Sequence, residues 1–288
     1  MNSISTKGGD LHENEEAKKE AVNYSAALTT ETSPRLPRIA TWFSCGAASA
    51  VAAKQAIDRY SGSREVVVVC CDTRASEHDD NYRFSAEVEA WLGQPIIYII
   101  NDKYGTVDDV FKRERYMSGP RGARCTVELK KIPRFGFQRA DDVHVFGFTF
   151  DERKRVRSFT MRNPELSLKW ILVETATTKA DCYDIVARAG IALPVMYGLG
   201  FDNNNCPGCV KASSPWYWDM IRTHFPKVFK RRCVQSRALG VRLVEIKHHV
   251  RIFLDELPPG PFKKRRKKER MSCGPDCVPI ELSTLTPK

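Results

Sequence analysis

No apolar run in the 288-residue sequence approaches the roughly 20 residues that a membrane-spanning helix needs, which excludes a bilayer-spanning class. Met1 to Glu20 carries neither the apolar stretch of a secretory signal nor the basic amphipathic pattern of a transit peptide, so a cytoplasmic location is expected. The six histidines form no HExxH or HxH pattern, and His248 and His249, being adjacent, cannot share a helical face as co-ligands. There is no internal repeat. What is present fits one large domain, or one domain with appendages: 42% hydrophobic and 28% charged residues leave no room for a fibrous or wholly disordered chain. Ten cysteines in a cytosolic chain of this length point to metal, redox or nucleophilic chemistry rather than to disulfides. The formal net charge of +11 is concentrated in one place, Lys263 to Arg270, where seven cations stand against Glu269 alone. Such a run either binds phosphates or RNA or is a solvated linker.

Residues 1–37 lack periodicity and end in Pro34 and Pro37, which reads as a disordered leader. After Pro37, apolar strand-like runs alternate with helical patterns. Arg38 to Phe43 reads as a strand, Ser49 to Tyr60 as a helix, Val66 to Cys71 as an apolar strand, Asp80 to Leu92 as a helix closed by Gly93, and Ile96 to Ile100 as a strand. Thr106 to Arg115 reads as a helix, Val143 to Phe148 and Trp170 to Val173 as strands, and Lys179 to Ala189 as a helix ended by Gly190. Continuous apolar strands separated by helices predict an α/β fold with a doubly wound, mainly parallel sheet over residues 38–200. A cysteine-bearing C-terminal extension follows over 201–262, with helices near Pro215 to His224 and His248 to Leu257. The basic linker and cysteine tail occupy 263–288.

Ser44, Cys45, Gly46, Ala47, Ala48 and Ser49 follow the first strand and open the first helix. Small residues there let backbone amides approach an anion, and the helix N-terminus adds its positive dipole end. The alternative is a tight strand-to-helix turn that holds no ligand. The segment SCGAASAV resembles the modified P-loop of the phosphoadenosine phosphosulfate (PAPS) reductase family, within the wider group of PP-loop adenine-nucleotide enzymes with a HUP-like α/β fold. Further segments resemble that family in the same order. Asp72 and Thr73 stand where it has Asp-Thr-Gly, with Arg74 in place of the glycine; Arg124, Cys125, Thr126, Lys130 and Pro133 resemble its Cys, Lys and Pro segment. Gly147 to Arg157 resembles its glycine and arginine segment, and Leu193, Pro194, Tyr197, Gly198, Cys206 and Cys209 the stretch in which Pro and Tyr precede a CxxC.

The resemblance implies an adenine nucleotide whose anionic end sits on Ser44 to Ser49. Asp72 either accepts from a ribose hydroxyl or fixes the loop; Thr73 and Gly147 line the site, and Lys130, Arg124, Arg153, Arg155 and Arg157 neutralise sulfate or phosphate. For Arg155 an ordinary surface ion pair is the favoured reading. Ala48 stands where ATP-splitting relatives have an acidic residue, which favours a reductase of sulfonucleotides, with a thioredoxin- or glutaredoxin-like thiol as reductant. Ser272, Cys273 and Gly274 resemble the family's Glu-Cys-Gly signature, which would make Cys273 the nucleophile on sulfur.

Cys206 and Cys209 have the spacing of a metal or cluster pair. In the iron-sulfur branch of the family a paired cysteine segment and a CxxC hold a [4Fe-4S] cluster. Here Cys125 is followed by Thr126, so Cys273 or Cys277 would complete the set, and zinc is equally compatible with sulfur ligands. Cys70, Cys71 and Cys182 read as structural. Two other functions stay open: a PP-loop sulfurtransferase thiolating tRNA or DNA, with the 263–270 run on the nucleic-acid backbone, and a non-catalytic nucleotide-binding module with a zinc-stabilised tail. A homodimer is compatible with each.

Overall fold

The computed structural model describes residues 36–120, 122–246 and 250–264. Most of the leader, most of the basic run and the tail with Cys273 and Cys277 therefore lie outside the described residues.

Five parallel strands form the centre: β1 (Ile39–Phe43), β2 (Val66–Cys71), β3 (Ile96–Ile99), β4 (Val143–Phe146) and β5 (Ser167–Lys169), in the order β3-β2-β1-β4-β5. β1 is central and all five of its residues are buried, which is why it reads as apolar on both faces. Phe43 registers with Cys70, Trp42 with Phe146, and Cys71 with Ile99, so the carboxyl ends of four strands lie together. The first helix, α1, runs Ala47–Tyr60, and its Ala50, Ala53 and Ala56 pack on one sheet face with Phe43, Val68 and Cys70. α2 (Asp80–Leu92) ends at Gly93, whose φ of +70° suits a left-handed helix stop. On the other face Trp42 stacks on His144 at 6.0 Å and meets the edge of Phe137 at 6.3 Å, while its Nε1 donates to His144 Nδ1 at 3.0 Å.

From β1 the chain builds β2 and β3 to one side, then crosses to build β4 and β5 on the other. The switch point thus falls between β1 and β4, where ligands of open α/β sheets sit at the carboxyl ends. At the opposite, amino end, Arg38 makes a buried fork on Asp142 (2.7 and 2.9 Å), tying the same two strands.

A second core joins the segment between β3 and β4 to the C-terminal part. Val110 and Phe111 of α3 (Val107–Glu114), with Met117 and Leu129, pack with Phe201, Trp218, Ile221, Leu243 and Leu254. Residues 124–137 form a helical run in which Val127–Lys131 is a π turn leading into α4 (Ile132–Phe137). The remaining helices of ten residues or more are α5 (Arg153–Arg162), α6 (Lys179–Arg188), α7 (Pro215–His224) and α8 (Pro226–Ala238).

Two expectations are corrected. Trp170 to Val173 is not a strand: Ile171–Glu174 is one helical turn, and the edge strand lies just before it at Ser167–Lys169. Ile171, Leu172 and Val173 are all buried, and a short apolar run does not distinguish a buried strand from a buried turn of helix. Of the helix expected from His248 to Leu257, residues 248 and 249 lie outside the described residues; in the rest, Arg251–Ile252 pairs antiparallel with Val244–Glu245 and Leu254–Glu256 forms a single 3-10 turn before Pro258.

Candidate functional site

The turn after β1 is held from within. Ser49 Oγ donates to the Gly46 carbonyl at 2.8 Å and takes hydrogen bonds from the Ser44 backbone N–H at 3.1 Å and the Ser44 hydroxyl at 3.2 Å. Cys45 adopts φ +53°, a left-handed conformation uncommon outside glycine, and its side chain is buried against Cys70. That resolves its role: the backbone of Cys45 shapes the turn while its thiol belongs to the core. The hydrogen bond with Cys70, aided by burial, pushes the Cys45 thiol up. Gly46, the residue that caps α1, has no side-chain cap, and no acidic residue stands in the first turn. Ser44 is exposed and Ala48 half-buried.

Gly147, at the end of β4, is pressed against this turn. A Cβ on it would lie 2.6 Å from both Cα and N of Ser49 and 2.9 Å from the Ala48 carbonyl carbon. The glycine therefore lets the ends of β1 and β4 close together at the switch point. Tyr197 covers the other side. Burial pushes its phenol up, and the backbone groups of Ala47 and Asn204 hydrogen-bond it.

At the end of β2, Arg74 grips Asp72 as a fork, Nε to Oδ1 at 3.0 Å and Nη2 to Oδ2 at 2.7 Å, and its backbone N–H adds a third contact at 3.0 Å. Burial opposes ionisation of Asp72, but these contacts outweigh it and hold the carboxyl below its ordinary range. The guanidinium also lies 3.8 Å over the Tyr98 ring and 4.7 Å over Tyr82. Of the two roles expected for Asp72, the structure supplies the loop-fixing one. Thr73 is likewise committed, its hydroxyl donating to Glu77 Oε1 at 2.6 Å.

Glu77 opens a polar chain that the sequence did not flag. Its Oε2 accepts from Asn81 Nδ2 (2.7 Å), Asn81 Oδ1 accepts from Asn204 Nδ2 (2.7 Å), and the same Nδ2 reaches the Cys45 carbonyl at 2.6 Å. The chain couples the Ser44–Ser49 turn to the segment that carries the CxxC. Its only sequence signal was Asn203 to Asn205, whose middle member is the buried one.

Cys206 Sγ stands 3.9 Å from Glu77 Oε1. Burial, then Glu77, pushes the Cys206 thiol up to about 12, and burial pushes Cys125 up with Cys209 adding to it. Gly208, with φ +69°, makes the turn between Cys206 and Cys209. A Cβ there would meet Val228 Cγ1 at 2.8 Å. Tyr217 Oη accepts from the Cys209 N–H at 2.7 Å, and the buried Arg232 donates to the Gly208 carbonyl at 3.2 Å while pairing with Asp108. Trp218, buried, donates to the Ala212 carbonyl at 3.0 Å and packs α7 into the second core.

The thiols of Cys125, Cys206 and Cys209 lie within electrostatic reach of one another, and their softness suits iron or zinc. Among the described residues, however, no three His, Cys, Asp or Glu side chains stand in a coordinating arrangement, and Cys277 lies outside those residues. The donor set fits such a group in kind but not in arrangement, and no chemical step is routed through a metal.

Lys130, in the π turn, is exposed, and Glu77, Cys206, Cys70 and Cys71 lie within electrostatic reach of its ammonium. Burial pulls its ammonium down, but Glu77 and the thiols outweigh burial and hold it above the ordinary lysine range. The other expected cations divide. Arg124, expected on the nucleotide, pairs here with Glu114 (2.6 Å) and Glu128 (2.7 Å). Arg155 pairs with Glu152, as the surface reading held. Arg153, 3.9 Å over the Phe150 ring, and Arg157 are exposed on α5, a helix with no buried residue. The expected nucleophile Cys273 lies outside the described residues.

No family model matches the chain, and no curated protein is significantly similar to it. Among the described residues no helix is long and apolar enough to cross a membrane.

Proposed function

We propose that the protein binds an adenine sulfonucleotide at the switch point, its anionic end on Ser44 to Ser49, and reduces it with thiols in the manner of the PAPS reductases. The observation that supports this most is the closure of Gly147 onto Ala48 and Ser49, which sets an uncapped helix N-terminus at the carboxyl ends of β1 and β4. Lys130, exposed on the π turn, balances charge on the transferred group. The thiolate of Cys273 attacks sulfur, the S–O bond breaks, and its electron pair leaves on the nucleotide phosphate oxygen. The resulting Cys273 S-sulfonate is attacked at the cysteine sulfur by a thiol of an external dithiol protein. Sulfite departs, and the second thiol of that reductant resolves the mixed disulfide.

Calorimetric titration with PAPS, adenosine phosphosulfate, AMP and ATP, followed by assay of sulfite release with a thioredoxin, tests the reading. Binding of a sulfonucleotide with sulfite release supports it; failure of every adenine nucleotide to bind sinks it.

A second reading is favoured by α5. This helix carries five basic and no acidic residues, buries none of them, and leaves Met161 72% exposed. A strip of this kind fits a polynucleotide backbone, as a nucleic-acid sulfurtransferase would need. Pyrophosphate release from ATP, stimulated by tRNA or DNA and coupled to sulfur incorporation, would establish that reading in place of the first.

A further inference from the structure

Three arginines are buried among the described residues: Arg38, Arg134 and Arg232. Arg38 is forked on Asp142, and Arg232 is paired with Asp108 and Gln235. Arg134 differs. It is 8% exposed, no hydrogen bond or ion pair engages its guanidinium among the described residues, and its Nε is fully buried without an acceptor. What surrounds it is ring: Phe135 at 4.8 Å and Phe146 at 5.9 Å from the guanidinium carbon. Two aromatic faces return only part of what a cation loses on leaving water, so a buried arginine left this way is destabilising by itself. The remaining charges felt there are Cys71 and the exposed Glu165, and burial outweighs both.

Its position gives that cation a use. Arg134 lies in α4, one turn beyond Lys130, and Cys71 at the carboxyl end of β2 feels both cations. Phe146, under the guanidinium, is the last residue of β4. Arg134 thus stands at the ends of the strands that flank β1, whose own end carries the Ser44–Ser49 turn. A guanidinium presents a planar fork of donors, which tetrahedral oxyanions accept in pairs, and burial limits the approach to a small group. We propose that Arg134 is the binding residue for a second tetrahedral oxyanion, a sulfate or phosphate group, with Lys130, whose charge also reaches Cys71, as its companion cation. This rests on the nucleotide reading above for its source: the group is carried by the nucleotide whose other anionic end lies on the turn after β1.

The test compares wild type, Arg134→Met and Arg134→Lys. Thermal melts are run in sodium chloride, sodium sulfate and sodium phosphate at equal ionic strength, and titrations use PAPS, AMP and adenosine. In chloride, Arg134→Met melts at or above wild type, because an unpaired buried cation has been replaced by apolar volume. Sulfate and phosphate raise the melting temperature of wild type and not of Arg134→Met. PAPS binds Arg134→Met at least 30-fold more weakly, Arg134→Lys recovers part of that loss, and adenosine binds all three alike. A chloride melt of Arg134→Met well below wild type with the sulfate shift retained would overturn the inference and make Arg134 structural. Unchanged PAPS affinity in Arg134→Met would overturn it while leaving the nucleotide reading standing. An Arg134-dependent sulfate shift without binding of any adenine nucleotide would sustain the oxyanion site and sink that reading.

Discussion

Changing Gly147 to alanine tests the geometry on which the site depends. The added Cβ would stand 2.6 Å from Cα and N of Ser49. Carbon contacts are comfortable only at about 3.5 Å or more, so the end of β4 and the start of α1 must part by about 1 Å. Neither neighbour is a side chain that can swing aside, because both contacts are backbone at the foot of a helix packed on the sheet core. Forced insertions of this kind destabilise by about 1–3 kcal/mol. At roughly 2–4 °C per kcal/mol for a chain of this class, the melting temperature should fall by about 2–12 °C. A displacement of about 1 Å at the turn should also slow sulfonucleotide turnover on the order of 100-fold. Gly46→Ala is the matched control: its Cβ would meet the Tyr197 hydroxyl at 3.4 Å and the Ser44 and Ser49 hydroxyls at 3.9 and 4.0 Å, all side-chain atoms, and its φ of −113° is ordinary, so the change should cost within about 1 kcal/mol. Scanning calorimetry of both variants decides the matter. A Gly147→Ala protein as stable as wild type, or one no worse than Gly46→Ala, would refute the claim that the two strand ends are in contact.

Further outcomes follow from the same structure. Asp142→Asn should lose about 3–5 kcal/mol at pH 7 by leaving Arg38 buried without its counter-charge. The Arg38 fork outweighs burial and holds Asp142 below the ordinary aspartate value of about 3.9. The wild-type advantage is therefore full above that value and disappears as the pH falls through the lower folded value; denaturant melts at pH 7 and pH 3 that show the same gap would contradict this. Asn204→Ala should destabilise by about 1–3 kcal/mol, since it strands the Cys45 carbonyl and Asn81, and should loosen backbone amides of residues 44–49 in hydrogen exchange; unaltered protection there would break the proposed link. With its thiol pushed up to about 12, Cys206 in metal-free protein should alkylate at pH 8 on the order of 100-fold more slowly than a free thiol, the lower thiolate fraction being partly offset by the greater nucleophilicity of a more basic thiolate. Mass spectrometry of the alkylated peptides measures this, and anaerobic purification with iron, sulfide and zinc assays shows whether a metal takes those thiols.

The sheet was legible because its strands are continuous apolar runs: burial on both faces requires this of β1, and Val66–Cys71 and Ile96–Ile99 keep it although Ile97 on the edge strand is exposed, while Gly93 stops α2 where a left-handed residue is needed. The same signal failed at Ile171, Leu172 and Val173, where a single buried turn of helix has the composition of a strand. For the site, the small residues of 44–49 pointed to an anion at the backbone, while the packing of Gly147 against Ala48 and Ser49 had no local signal. What the sequence hid were pairings. Nothing in the local spacing says that Arg74 will spend its fork on Asp72, that Arg124 will be taken by Glu114 and Glu128, or that Arg134 will be left with none, because those carboxylates are chosen by packing. Counting cations near a motif therefore ranks Arg124, Arg134 and Arg157 alike. Only burial and partners separate a structural pair from an exposed surface charge and from a guanidinium held dry beside the ends of β2 and β4, and it is the last of these that has the most to gain from an anion.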